Sequence, residues 1–239
     1  MTRSVAAAAT PAGHATRLLL LSTAERLFAE HGIDGVSLRS VSAAARQRNT
    51  SATHYYFESK AALIAAIVEL RMGPIDEHRR RRVDAIRVGR APDDVRGWVE
   101  ALVWPMAEPL ADSTEPGWYL PFLAEAMGRH RPSLQGPFEG PHAVGLHGTF
   151  AGLRRHLAHL PASVTERRFL LAVDLVVRAL ADGHRKSRDG VWTEDDFRLL
   201  VTDLVDAAAG LLTAPASFPS AEPAARPEVC RPRPGTAPV

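Results

Sequence analysis

The 239-residue chain contains a single cysteine, Cys230, so no disulfide can form within it, and its composition suits a reducing compartment. It also lacks any run of about 20 apolar residues, the length that a helix needs to span a bilayer. His14 and Arg17 interrupt the leucines near the start, which then continue into an amphipathic pattern and not a secretory signal. These absences exclude a disulfide scaffold and a membrane-spanning protein, and predict a soluble cytoplasmic one.

Motifs typical of enzymes are missing as well. The sequence has no serine in a nucleophile elbow and no glycine-rich phosphate loop after a strand, and its cysteine lies in a proline-rich tail. Two histidine pairs, His142 with His147 and His156 with His159, have no cluster of acidic or thiol ligands around them. We therefore expect neither an enzyme nor a metal or cofactor site.

Charge is distributed unevenly along the chain. Residues 1–90 contain 14 Lys and Arg against 8 Asp and Glu, a balance of +6, whereas residues 91–239 contain 15 against 19, a balance of −4. A basic front indicates that this half meets a polyanion, although an asymmetry of this size also arises by chance. Four consecutive arginines at 79–82 would point all round a helix, so we interpret them as a solvated collar paired with nearby acidic residues.

Apolar residues recur at helical spacing along most of the chain, and no strand-like alternation is sustained, so the predicted fold class is all-α. Residues 1–14 are predicted to be a disordered arm, and residues 214–239, with seven of the eighteen prolines, a disordered tail. Between them, breakers and caps predict helices at about 15–31, after Ser37, at 50–57, from Ser59 to Gly73-Pro74, and at 75–89, 93–110, 117–129, 140–159, 163–186 and 194–213.

Two short predicted helices joined by a short turn lie between Leu38 and Phe57. The first is capped by Ser37 and has four apolar residues on one face, Leu38, Val41, Ala44 and Ala45. The turn is Arg46-Gln47-Arg48, and Asn49 can cap the second helix. This order is the sequence form of a helix-turn-helix. The second helix presents small and polar residues with two aromatics, a surface that fits the major groove of DNA, which is about 12 Å wide.

Two further patterns frame this segment. Phe28-Ala29-Glu30-His31-Gly32 ends the preceding helix, and Tyr55-Tyr56-Phe57-Glu58-Ser59-Lys60-Ala61-Ala62-Leu63 closes the motif. Together they resemble the Phe-Ala-x-x-Gly and Tyr-x-Phe-x-x-Lys-x-x-Leu patterns of the TetR/AcrR family of bacterial transcription regulators. The resemblance covers about residues 17–70.

The chain departs from the family pattern at three positions. Thr53 stands where the family usually has an apolar residue, and Tyr56 where it often has histidine. Arg46 stands where the turn often has glycine. Left-handed backbone at a non-glycine residue costs about 1–2 kcal/mol, so either this turn differs from the family's or its backbone angles are ordinary.

The resemblance implies a set of DNA contacts. Tyr55 is expected to stand against the sugar-phosphate backbone and Lys60 to contact phosphate. Thr50, Ser51 and His54 are expected to contact phosphates or base edges. Ser37, Arg39 and Arg48 are expected to contact phosphates alone. The apolar residues Val41, Ala45, Phe57 and Leu63 are interpreted as the core of this small domain.

The resemblance also implies an effector cavity in the C-terminal part of the chain. Aromatic and sulfur side chains are concentrated in the middle helices, as an apolar ligand pocket requires. The candidate lining residues are Trp98, Trp104, Trp118, Phe122, Met127 and Phe150, although an ordinary core is the simpler interpretation of each one.

Apolar stripes at residues 169–180 and 197–212 are long enough to form a four-helix interface with the same helices of a second subunit; the alternative is packing within one chain. Such a homodimer would hold two recognition helices about 34–36 Å apart and bind a palindromic operator. We thus expect a DNA-binding domain at 15–60 and an effector and dimerisation domain at 61–213. The expected function is a repressor released by a small apolar ligand; the alternative is a small-molecule-binding helical protein that has lost DNA binding.

Overall fold

The computed structural model describes residues 11–46, 52–111, 117–128, 130 and 138–217, and over these ranges it contains helices and no strand. The all-α fold class is thus confirmed. The α-helices are α1 (Pro11–His31), α2 (Leu38–Ala44), α3 (Ala52–Tyr56), α4 (Lys60–Arg87), α5 (Val95–Ala111), α6 (Tyr119–Ala126), α7 (Val144–His156), α8 (Ala162–Arg188) and α9 (Glu194–Thr213). A single 3₁₀ turn, Pro141–Ala143, leads into α7.

The ends of the described chain differ from the predicted disordered segments. Helix α1 includes residues 11–14, where Gly13 is buried, so the predicted arm was wrong for these four residues. At the other end, the Arg168 guanidinium donates to the carbonyls of Leu212 and Pro215 and holds the chain just after α9. Residues 1–10 and 218–239 lie outside the described residues.

Helix α4 runs for 28 residues straight through Gly73-Pro74, where the sequence predicted a break between two helices. An interior proline removes one helical hydrogen bond and costs about 3 kcal/mol. Both halves of α4 bury apolar residues against the rest of the protein: Ile64, Ile67 and Val68 before the proline, and Ile75, Val83 and Ile86 after it. Burial of this face offsets the lost hydrogen bond, and one helix therefore links the two parts of the chain.

The N-terminal part consists of α1, α2, α3 and the start of α4. Its core contains the four predicted residues Val41, Ala45, Phe57 and Leu63, which are all at most 5% exposed, together with Phe28. Ala44 was wrongly placed on the buried face of α2, because it is exposed and Ser42 takes the buried position.

In the C-terminal part, α4, α5 and α7 pack together, while α8 packs on α9 and α6, and α9 also packs on α5. Gly152 of α7 leaves room for the Trp98 indole of α5, since a Cβ there would lie 2.4 Å from the ring. Of the helices in the described residues, none is both long and apolar enough to cross a bilayer.

Helices α8 and α9 use most of their predicted stripes inside the chain. Thirteen apolar residues of these stripes are buried or half-buried in the monomer: Phe169, Val173, Val176, Val177, Leu180, Phe197, Leu200, Val201, Leu204, Val205, Ala208, Leu211 and Leu212. Packing within one chain, the alternative interpretation, therefore accounts for these residues. Large apolar side chains that remain exposed on the same two helices are Leu170, Leu171 and Leu199, at 56%, 52% and 69%.

Candidate nucleic-acid interface

Helix α2 begins with a reciprocal cap. The Ser37 hydroxyl accepts the backbone N–H of Ser40 at 3.0 Å, and the Ser40 hydroxyl accepts the N–H of Ser37 at 2.9 Å. Two backbone N–H groups at the start of the helix are thereby satisfied, as in a capping box, and those of Leu38 and Arg39 are left for other partners. The predicted cap at Ser37 is confirmed, and Ser59 likewise caps α4 by accepting the N–H of Ala62 at 3.1 Å. Both caps fix where the helices of this motif begin.

A buried pair of hydroxyls joins α2 to α3. Ser42 and Thr53 are both fully buried, and their hydroxyl oxygens lie 2.7 Å apart. The Ser42 oxygen also accepts the backbone N–H of Thr53 at 3.0 Å. Polar groups that are fully paired in a core specify one arrangement of the elements that carry them. The polar residue at position 53, a departure from the family pattern, is thus matched by Ser42.

The turn after α2 contains Arg46, whose backbone conformation the sequence left open. Arg46 has a φ of +52°. Among the residues that the structure describes, it is the only one other than glycine with a positive φ. An arginine thus adopts a left-handed angle at the position where the family often has glycine. Of the two alternatives that the sequence left open, ordinary backbone angles at Arg46 are contradicted.

We expect R46G to stabilise the protein by about 0.5–1 kcal/mol, because relief of left-handed strain exceeds the extra chain entropy of glycine. Urea unfolding of the two proteins measures the difference. The control is A43G, an exposed position inside α2 with ordinary helical backbone, which should cost about 1 kcal/mol. A loss of stability in R46G comparable to that in A43G would contradict the strain at Arg46.

Helix α3 places different residues on its two sides. Thr53, and Phe57 just after the helix, are buried, whereas His54 is exposed and Tyr55 is 41% exposed. The Tyr55 ring lies edge-on to that of Tyr56, with centroids 5.2 Å apart, and Tyr56 in turn lies 6.5 Å from Phe57 in the core. Contacts between aromatic rings therefore hold the exposed Tyr55 in place from the side of the core.

Lys60, at the start of α4, has a structural contact that the sequence did not predict. Its ammonium donates to the carbonyl of Ile33 at 2.8 Å, in the turn between α1 and α2. An ammonium has three N–H donors, so this bond leaves others for a phosphate. Lys60 thus ties the turn to α4.

The other predicted contact residues are partly outside the described structure. Ser37 and Arg39 are exposed at the first turn of α2. The same helix contains Ser42, which joins it to α3. Arg48, Thr50 and Ser51 lie outside the described residues. The part of the motif that can be described presents exposed side chains from α2 and α3 beside a buried pair that fixes the two helices.

The six candidate pocket residues do not come together. The apolar cavity of the C-terminal part has a volume of ≈ 40 Å³, and of the six only Met127 lines it. Its other lining residues are Met72, Ile75, Arg79, Leu102, Met106, Tyr119, Leu123, Phe138, Leu146, Val173 and Val177.

The other five do not line this cavity, and each has a packing partner of its own; Trp104 instead lines a separate cleft with Phe197 and Val201. Trp98 fills the space beside Gly152, and Phe150 stacks on Phe169 with centroids 5.2 Å apart. Arg82 lies over Trp104 and Arg188 over Trp118, at 5.9 and 4.5 Å from the ring centroids. Phe122 of α6 stacks on Phe28 of α1, 6.0 Å away.

The sequence model described as "Bacterial regulatory proteins, tetR family" matches residues 20–67. This segment contains α1 from its middle, the capped α2, the exposed α3 and the start of α4. Residues 20–67 are thus similar to the TetR family. The match confirms the resemblance drawn from the sequence over this segment.

A relative of this chain is the HTH-type transcriptional repressor SCO4008 of Streptomyces coelicolor, 32% identical over 89 residues. The aligned region covers 37% of this chain and 41% of the repressor, so the chain spans about two fifths of that relative's length. Among solved structures, that of RolR in complex with resorcinol has a TM-score of 0.42 and 14% identity, covering 85% of this chain and 96% of that one.

Proposed function

We propose that this protein is a sequence-specific DNA-binding transcription regulator, a repressor that a small ligand releases from its operator. The observation that carries the proposal is the helix-turn-helix itself: α2 is capped, a buried hydroxyl pair joins it to α3, and His54 and Tyr55 are exposed on α3. The TetR-family match to residues 20–67 supports the same function.

The DNA-contact surface in this proposal consists of Tyr55 and His54 on α3, Ser37 and Arg39 on α2, and Lys60 on α4, together with Arg48, Thr50 and Ser51. The N-terminus of a capped helix favours a phosphate, because unpaired N–H groups and the helix dipole both point toward it. Ser37 and Arg39 lie at such an end, and Tyr55 is held by Tyr56 from the protein side. These residues would position the recognition helix in the major groove.

A homodimer completes the proposal. Leu170 and Leu171 on α8 and Leu199 on α9 expose more than half of their surface on two helices that pack on each other. Exposed apolar groups on adjoining helices are typical of an interface with a second subunit. Two-fold symmetry then matches two half-sites one helical turn of DNA apart.

Release by a ligand has a physical route through α6. This helix contributes Tyr119 and Leu123 to the cavity, and its Phe122 stacks on Phe28 of the DNA-binding domain. Just beyond it, His130 Nε2 lies 3.1 Å from Asp34 Oδ1, in the turn after α1. A ligand that displaces α6 therefore moves a direct contact of α1. Such a ligand changes DNA affinity only to the extent that it binds the two arrangements differently.

A gel shift with the DNA upstream of the protein's own gene tests this function. We expect two chains to bind a palindromic site, and a single half-site to bind far more weakly. The alternative function, a helical protein that binds small molecules without binding DNA, predicts no shift at any salt concentration. That result would overturn the proposal.

The K60A variant should weaken binding to all DNA sequences and reduce the slope of log affinity against log salt by about one phosphate contact. Titrations of operator DNA over a salt series measure the slope. Because Lys60 also bonds to Ile33, K60A should lose some unfolding free energy as well. A purely structural lysine would lower stability while leaving the salt slope unchanged, and that outcome would refute the phosphate contact.

A further inference from the structure

Arg79 is a cation in the lining of an otherwise apolar cavity. The sequence suggested that the four arginines at 79–82 form a solvated collar, but Arg79 is only 3% exposed. It faces the cavity with methionine, leucine, isoleucine, valine and aromatic side chains. A buried guanidinium in such surroundings is costly unless its charge and its donors are matched. The collar interpretation is therefore wrong for Arg79.

The partners of Arg79 are incomplete. Its Nη1 lies 3.6 Å from Asp76 Oδ1 and its Nη2 donates to the carbonyl of Leu102 at 3.4 Å, both longer than a strong charged contact. Its Nε is buried and has no hydrogen-bond partner. Burial lowers the pKa of Arg79 and Asp76 opposes that shift, but arginine stays protonated in proteins. The cation therefore has donors left over.

Asp76 offers these donors only the one long contact, because its carboxylate also caps α7. Its Oδ2 accepts the N–H of Gly145 at 2.8 Å and its Oδ1 accepts the N–H of Leu146 at 2.9 Å. Gly145 admits this contact, since a Cβ there would lie 2.9 Å from the Asp76 carbonyl. The negative charge of Asp76 is thus shared between Arg79 and the N-terminus of a helix.

We propose that the effector of this protein is a small apolar carboxylate, whose carboxylate pairs with Arg79 while its hydrocarbon part occupies the cavity. A carboxylate matches the planar donor geometry of a guanidinium and supplies the acceptor that Nε lacks. The apolar lining excludes ligands with several polar groups, because those groups would be buried without partners. This inference rests on the proposed function in taking the cavity as the effector site.

The cavity of ≈ 40 Å³ has room for only a few non-hydrogen atoms, so a carboxylate with a ring or a branched chain must displace lining side chains. Three of these are methionines, Met72, Met106 and Met127, which are unbranched and change conformation easily. Tyr119 and Leu123 of α6 line the same space. Entry of the ligand therefore couples to the helix that contacts the DNA-binding domain.

Isothermal titration calorimetry on the full chain without DNA tests the proposal, using two pairs of nearly equal shape: benzoate with benzamide, and isovalerate with isovaleramide. We expect at least one acid to bind at least about tenfold tighter than its amide, as a charged hydrogen bond provides. R79M should abolish the preference and R79K should keep part of it. R80M is the matched control, because Arg80 is exposed on the same helix and should behave as the parent.

A second variant, V173F, keeps the test valid if R79M does not fold. Val173 is only partly buried and lines the cavity, so a phenyl ring there should fill the space and block both members of each pair. Equal affinities for acid and amide, no binding of any probe at about 10 mM, or a preference unchanged in R79M would overturn the proposal. A gel shift on the same protein separates the two ideas. If DNA is not bound but the acid preference is lost with Arg79, the proposed function fails while the carboxylate site stands.

Discussion

The R71M variant is expected to lose about 2–3 kcal/mol of unfolding free energy near pH 8 and much less near pH 5. Arg71 of α4 donates from Nε and Nη2 to the two carboxylate oxygens of Glu25, at 2.8 and 3.1 Å. Glu25 lies on α1 and is only 2% exposed, while about 44% of the Arg71 side chain is exposed. Removing the arginine leaves a buried carboxylate without its counter-charge, which is the costly way to break such a pair.

The dependence on pH follows from the pKa of Glu25. Burial raises this pKa above the ordinary value of 4.5, and the hydrogen bond and charge of Arg71 oppose the rise. R71M removes the opposing effects, so the pKa of Glu25 rises further. A carboxyl with a raised pKa keeps its proton in the folded state at a pH where the unfolded chain has lost it. Stability therefore falls as pH rises from the unfolded pKa to the folded one, and is level above it.

Urea unfolding of R71M and the parent between about pH 5 and pH 8 measures this profile. The control is E25Q/R71M, in which an amide of the same shape replaces the titrating group. The double variant should be more stable than R71M at the upper end and should lose the extra pH dependence. Parallel profiles for R71M and the parent would show that Arg71 does not set the ionisation of Glu25.

S42A is expected to destabilise the helix-turn-helix by about 2 kcal/mol, because it leaves both the hydroxyl and the backbone N–H of Thr53 buried without their hydrogen-bond partner. In the parent the Ser42 oxygen lies 2.7 Å from the Thr53 hydroxyl and 3.0 Å from its N–H. Hydrogen exchange of the α2 and α3 amides in the full chain reports on this region specifically. Operator affinity should fall in parallel, since α3 loses its fixed position against α2.

A double-mutant cycle gives the control for Ser42. T53V removes only the hydroxyl, so it should cost about 1 kcal/mol, and S42A/T53V should cost less than the sum of the two single changes by about 1 kcal/mol. Independent effects, with no coupling between the two positions, would mean that the hydroxyl contact does not hold the helices together.

Local signals account for the parts of the fold that the sequence predicted. The caps at Ser37 and Ser59 and the stop at Gly32 depend on residues within a few positions of each other, and all three are present. Helix α9 has the predicted bounds, 194–213, because a Thr193–Asp196 capping box begins it and a regular apolar stripe continues it. Patterns of this kind can be recognised in a single sequence.

Long-range packing decided what the sequence could not predict. Pro74 looks like a helix end until the buried faces on either side of it are known, and Arg79 looks solvated until α7 is seen to lie over Asp76. Each aromatic residue that suggested a pocket packs against a residue far along the chain, as Trp98 packs against Gly152. Thr53 did leave a signal, because it is a polar residue at a position where the family usually has an apolar one.

Because α4 is one continuous helix, a movement at one of its ends is transmitted to the other. Its 28 residues extend about 42 Å, from the cap beside the DNA-binding turn to the far side of the cavity. A tilt of a few degrees at the cavity end displaces the other end by about 2–4 Å, enough to take a recognition helix out of register with its groove. Under the proposed function, rotation of this one helix, which the proline does not interrupt, lifts repression without unfolding any helix.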